Sequence, residues 1–165
     1  MESMIEFVHQ RIKKHKYQNG IDFTMGNGHD TLFLSDYCHH VYSYDIQSLA
    51  LNNTKELVKR KKNITLFLKS HEYFDEDVRD FEVGIFNLGY LPGGNHECVT
   101  QYGITLKTIK KALEHLVKGG CLYVVVYIGH DQGKESTNLD AYFRTLDHKL
   151  YNCLLYTSPS PRDTR

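Results

Sequence analysis

The stretch Asp22-Phe-Thr-Met-Gly-Asn-Gly-His-Asp-Thr31 sets two carboxylates, two glycines and two hydroxyls close together, and its flanks say what such a stretch could do. Before it, Ile21 to Thr24 reads as a short buried strand. After it, Leu32, Phe33 and Leu34 begin an apolar helix. A strand, a glycine-rich turn and a helix start together make a nucleotide-type binding site. Gly26 and Gly28 carry no Cβ, so backbone can approach a ligand closely, and the helix start offers unpaired N–H groups. A second strand, Val41 to Tyr44, ends in Asp45, where an acid is usually placed to hold a ribose diol. Met25 and Asn27 inside the turn and Ile46 after the acid complete the expected cofactor contacts on this side.

The turn also selects among cofactors. The dinucleotide fingerprint has a third glycine, for close helix packing, and sets a pyrophosphate on the helix start. Here Thr31 stands at that third position and Asp30 at the helix N-terminus. A carboxylate there suits the helix dipole but would repel a pyrophosphate; alternatively, Asp30 is a helix N-cap. Both readings favour a cofactor without phosphates. S-adenosylmethionine fits, with its ribose diol for Asp45 and a cationic sulfonium end that Asp22 would face. NAD is the weaker candidate.

The second chemistry-bearing stretch is Phe81-Glu-Val-Gly-Ile-Phe-Asn-Leu-Gly-Tyr-Leu-Pro-Gly-Gly94. Val83, Ile85 and Phe86 make a buried strand that ends at Asn87, and the glycine content after it excludes a helix. It is similar to the Asn-Pro-Pro-Tyr loop of amino-group methyltransferases, with Leu88 and Gly89 in place of the two prolines. In such loops the Asn side chain and a backbone carbonyl, here that of Leu88, hold the target nitrogen. Tyr90 would stack on the substrate, and Pro92, Gly93 and Gly94 would line its side of the loop.

With both stretches in view, the chain resembles a family of small bacterial class I methyltransferases described as rRNA methylases. Members have been assigned to methylating the 5-aminomethyl group of wobble uridine in tRNA. The family pattern Asp-Ala-Thr-x-Gly-Asn-Gly-His-Asp-Thr is met by Asp22 to Thr31 with Phe23 in place of Ala, and Asn-Leu-Gly-Tyr-Leu-Pro-Gly-Gly by Asn87 to Gly94. Tyr127, Gly129, His130 and Gly133 match a third block, with Glu135 one place early. The resemblance covers roughly residues 3 to 150. Lys69 stands where the family commonly has an acid before Ser-His, which leaves Ser70 and His71 as substitute contacts for the adenine.

At 165 residues the chain reads as one domain, with elements that alternate between helix and strand. Met4, Ile5, Val8 and Ile12 give a first helix its apolar stripe. Strand one follows an Asn19-Gly20 turn. Helices are expected from about Thr31 to Cys38, from Ser48 to Lys61 with Leu49, Leu57 and Val58 inward, over Thr105 to Val117, and over Thr137 to Leu150. Further strands are expected at Ile64 to Leu68, Val83 to Phe86 and Cys121 to Ile128. The alternation predicts an α/β fold: a doubly wound, mostly parallel Rossmann-like sheet. The methyltransferase resemblance implies seven strands, of which the last two would be missing. Residues 1–152 are expected to form the methyltransferase domain. Cys153 to Asp163, with its two prolines, has no place in that fold and looks like translated sequencing adapter, so 153–165 is expected to be a non-native tail.

No apolar run approaches membrane-spanning length, no secretory signal is visible, and the four cysteines lack metal-like spacing. A cytoplasmic, metal-free protein is expected, and a homodimer is compatible with the sequence. Net charge is zero, which does not advertise a nucleic-acid binder. Basic residues nevertheless cluster at Arg11 to Lys16, Lys59 to Lys62 and Lys107 to Lys111, and a local basic rim is enough to approach a tRNA anticodon loop. The expected activity is N-methylation of RNA, with Asn87, Tyr90 and His130 as the catalytic set and His71 a further group able to assist proton removal. The alternatives are a methyltransferase for a small-molecule amine and a nucleotide-binding module without catalysis.

Overall fold

The computed structural model describes residues 3–89, 102–127 and 134–156. Its elements run α1 (Met4–Ile12), β1 (Tyr17–Asp22), α2 (His29–Ser35), β2 (Cys38–Asp45), α3 (Ser48–Val58) and β3 (Ile64–Leu68). A 3-10 segment (His71–Glu76), β4 (Phe81–Leu88), α4 (Tyr102–His115), β5 (Leu116–Val126) and α5 (Lys134–Arg144) complete it. The five strands form one parallel sheet in the order β3-β2-β1-β4-β5. The chain winds outward from β1 to β3, then crosses back to start again at β4 on the other side of β1. That reversal opens a crevice beyond the carboxyl ends of β1 and β4, where open α/β sheets bind ligands. The doubly wound fold read from the alternation is the one observed.

Two apolar layers bury the sheet. On one face Val8 and Ile12 of α1 and Leu34 of α2 pack on Val41, Val83, Ile85 and Val125. On the other, Phe74, Ile109, Ala112 and Leu139 cover Ile21, Tyr44, Phe86 and Leu88. Phe23 sits in this second layer, with its ring stacked 4.2 Å from Phe86 and edge-on to Phe74 and Phe81. Gly84 makes room for it: a Cβ there would come within 2.9 Å of the Phe23 and Phe81 rings. No helix among the described residues is long and apolar enough to cross a membrane.

Several boundaries differ from the sequence reading. Asn19 and Gly20 are not a turn; they lie inside β1, paired with His40 and Val41 of β2. Gly20 is there because the Cys38 thiol fills the space of its missing side chain, 2.5 Å from where a Cβ would sit. Leu49 and Leu57 do not face inward but are 40% and 38% exposed, while Ala50, Thr54 and Val58 are buried. Thr54 on that face lies against the glycine turn, 2.7 Å from where a Cβ on Gly28 would sit. Helix α2 starts earlier, at His29, and stops at Ser35, since Cys38 already belongs to β2. Strand β5 begins at Leu116, with a register irregularity before Cys121 that absorbs the left-handed Gly119. The last helix ends at Arg144 rather than Leu150.

Candidate active site

The turn after β1 is built on Asp22. Its side chain is fully buried and accepts from the Thr24 N–H at 3.0 Å and the Thr31 hydroxyl at 2.6 Å. The Thr31 oxygen also lies 2.7 Å from Ser43 Oγ on β2. Burial, then the nearby Asp30 carboxylate, pushes the Asp22 pKa up to about 7 against the pull of the two hydrogen bonds. Asp22 and Thr31 thus stand behind the turn as its support, linking β1, α2 and β2.

Above this support the backbone turns through two left-handed glycines, Gly26 at φ 54° and Gly28 at φ 90°. A side chain on Gly28 would meet Thr54 at 2.7 Å, and the Thr54 hydroxyl donates to the Gly26 carbonyl at 3.1 Å. Met25 is buried, its N–H donating to the Tyr44 carbonyl at 2.9 Å, while the Asn27 side chain accepts from Asn53 at 3.1 Å. At the end of β2, Asp45 accepts from the Gly26 N–H at 3.0 Å and the Gln47 N–H at 2.9 Å. Each carboxylate oxygen has a second acceptor position, so Asp45 can brace the turn and still receive a diol. Ile46 beside it is 46% exposed, a large apolar side chain at the crevice mouth.

Beyond β3, Ser70 caps the 3-10 segment by accepting from the Glu72 N–H at 3.3 Å. His71 Nδ1 lies 2.8 Å from the Phe23 carbonyl. A carbonyl only accepts, so Nδ1 carries the proton and Nε2 is left as an acceptor. Desolvation lowers the His71 pKa, with the Phe23 bond opposing it, which favours the neutral ring.

Asn87 comes from the end of β4. Its N–H donates to Thr24 Oγ1 at 2.8 Å, and its side-chain Nδ2 donates to Asp30 Oδ2 at 3.2 Å. Its Oδ1 is buried and has no hydrogen-bond partner among the described residues. Asp30 is not the N-cap of α2: that position is Gly28, and Asp30 sits in the first turn. Its carboxylate is drawn instead to Asn87 on one side and to His9 Nε2, 2.7 Å away, on the other. Tyr127, just after β5, lies against Gly89. Desolvation and Asp30 raise the Tyr127 pKa, with the Asn87 amide pulling the other way.

The structure therefore brings Asp22, Asp30, Asp45 and Asn87 together around one turn, with Ser70 and His71 on its β3 side. Leu88 is fully buried, so only its backbone could meet a substrate. Tyr90, Pro92, Gly93, Gly94 and His130 lie outside the described residues. Sequence reasoning missed Thr24, which fixes the Asn87 backbone, and His9, whose only sequence signal is its place between apolar positions of α1. It named Tyr127 only as part of a matching block.

Residues 41–163 match the family described as "Putative rRNA methylase". The chain belongs to this family. A relative from Arabidopsis thaliana, "tRNA (mnm(5)s(2)U34)-methyltransferase, chloroplastic", is 39% identical over 132 residues, covering 70% of this chain and 48% of the relative. The chain thus spans about half the length of that curated relative. Among solved structures, a putative methyltransferase from Streptococcus mutans in complex with SAH has a TM-score of 0.82 at 38% identity, covering 90% of this chain and 85% of the other. A putative rRNA-methylase from Clostridium thermocellum has a TM-score of 0.84 at 31% identity, covering 90% and 86%. The chain shares with these solved structures a Rossmann-like parallel sheet.

Proposed function

We propose that the protein transfers a methyl group to the nitrogen of an aminomethyl substituent on the wobble uridine of tRNA, in the cytoplasm. The observation that carries the amine chemistry is the buried, unpartnered Oδ1 of Asn87 at the sheet's switch point. A buried acceptor without a donor is costly, and an amine N–H would satisfy it. The tRNA part is supported by the likeness to the plant relative and its printed activity.

The residues present fit the cofactor. Asp45 has acceptor capacity for a ribose diol, the two left-handed glycines bring bare backbone to the crevice, and Ile46 offers an apolar surface for a base. S-adenosylmethionine, when bound, supplies an electrophilic methyl on a sulfonium. Asn87 Oδ1 and the Leu88 carbonyl would hold the amine so that its lone pair points at that methyl. Positioning of this kind contributes most of the rate when a neutral amine is the nucleophile. The amine proton must leave, and His71, held through Nδ1 on the Phe23 carbonyl, would accept it at Nε2.

A small-molecule amine is the second reading, favoured by how the basic groups are used. Lys61 pairs with Asp36 at 2.5 Å, and Lys111 pairs with Asp75 at 3.1 Å, which leaves less charge for RNA. The test is methylation of tRNA bearing 5-aminomethyluridine, read by mass spectrometry of its nucleosides. A gain of one methyl on the wobble base supports the proposal. Methylation of free amines with none on tRNA would replace it by the second reading.

A further inference from the structure

We propose that His9 is a positioning residue for the methyl-accepting nitrogen, acting through Asp30 on the side-chain amide of Asn87. This rests on the reading that Asn87 holds that nitrogen. An asparagine amide can lie either way round, and only its neighbours decide which end faces the site. A carboxylate accepts and a side-chain NH2 donates, so Asp30 Oδ2 at 3.2 Å keeps Nδ2 on its own side. Oδ1 is thereby turned away from Asp30 and left as the buried acceptor without a partner. Asp30 can do this only while its own carboxylate is held, and the His9 ring nitrogen at 2.7 Å from its other oxygen holds it. His9 in turn is fixed by stacking flat on Phe33, with ring centroids 3.8 Å apart and planes 4° apart.

The consequence is that α1, which packs Val8 and Ile12 into the core, also reaches the reacting centre through two hydrogen bonds. A plain clamp between α1 and α2 would use the same His9–Asp30 contact, but it would not care which way round Asn87 lies. The two roles separate experimentally. His9→Phe keeps the stack on Phe33 and removes the donor, and His9→Gln restores a donor of similar reach. With 15N-labelled asparagine, the Asn87 side-chain NH2 pair is identified by its loss in Asn87→Ala.

The expected result is that this pair shifts in His9→Phe and returns towards its wild-type position in His9→Gln. Turnover should fall on the order of tenfold to a hundredfold in His9→Phe, the scale of a misplaced reacting group, with most of it regained in His9→Gln. The dissociation constant for S-adenosylmethionine, by calorimetry, should stay within about twofold, since no contact with cofactor is removed. An unmoved Asn87 resonance in His9→Phe, with only a lower melting temperature, makes the pair a clamp and overturns the proposal. Normal turnover in His9→Phe alongside a strong loss in Asn87→Ala also overturns it and leaves the Asn87 reading intact. Normal turnover in both variants removes the Asn87 reading itself. Should His9→Phe not fold, His9→Asn, too short to reach Asp30, takes its place.

Discussion

Asp22 is a carboxylic acid whose ionisation the fold resists, and the sign of that resistance can be tested. Folded, it keeps its proton up to about 7; unfolded, it loses it near 3.8. Between those values the native state binds more protons, so this group's contribution to stability falls as pH rises. Asp22→Asn does not titrate, so its stability relative to wild type should rise between about pH 4 and pH 7. Urea midpoints measured across that range check this, and a flat or falling difference would contradict the buried-acid picture. Asp45 makes a different prediction. Asp45→Ala should weaken S-adenosylmethionine binding by roughly 1.5–3 kcal/mol, the range for a hydrogen bond to a charged group. Unchanged affinity by calorimetry in a folded variant would remove Asp45 from the site. Asn87→Ala, by contrast, should leave that affinity within about 0.5 kcal/mol of wild type and cut turnover strongly, because its contact is with the amine.

At the scale of elements, the turn and α3 form one unit. Gly26 and Gly28 both need left-handed backbone, but Gly28 is also crowded, with Thr54 2.7 Å from its missing Cβ against 3.8 Å to the Thr24 carbonyl at Gly26. Gly26→Ala should therefore cost roughly 1–2 kcal/mol, the penalty for a left-handed alanine. Gly28→Ala should cost clearly more, because Thr54 must move and its bond to the Gly26 carbonyl is disturbed. Equal losses by urea denaturation would mean that α3 yields easily and that the close approach is not structural. That contact holds Thr54 inward on α3, while Leu49 and Leu57 stay outside.

For the molecule as a whole, the sheet order leaves β3 and β5 as the outer strands of the described sheet. Residues 151–156 form no strand, and Leu154 and Leu155 are 62% and 72% exposed. Tyr156 does make contacts: its ring lies 4.7 Å from Phe7, and the Arg11 guanidinium 5.9 Å over it. We still propose that 153–165 is foreign to the fold, although the family match runs on to residue 163. Removing 153–165 should then cost no more than about 0.5–1.5 kcal/mol, the scale of one aromatic pair, and leave cofactor affinity unchanged. A larger loss in thermal or urea unfolding would show that the segment belongs to the structure.

What the sequence determined by itself was whatever depends on local order. Strand, glycine turn and helix follow one another between Ile21 and Leu34 because apolar runs and missing Cβ atoms act over a few residues. The alternation of helix and strand determined the parallel sheet, since parallel neighbours need crossovers. Tertiary structure decided the rest. Asn19-Gly20 reads as a turn until the Cys38 thiol is seen to fill the glycine's side. Asp30 reads as a cap until His9 and Asn87, 21 and 57 residues away along the chain, draw its carboxylate off the helix end. No local pattern in α1 marks His9, because hydrogen bonds between distant segments exist only once the sheet's switch point has brought them together.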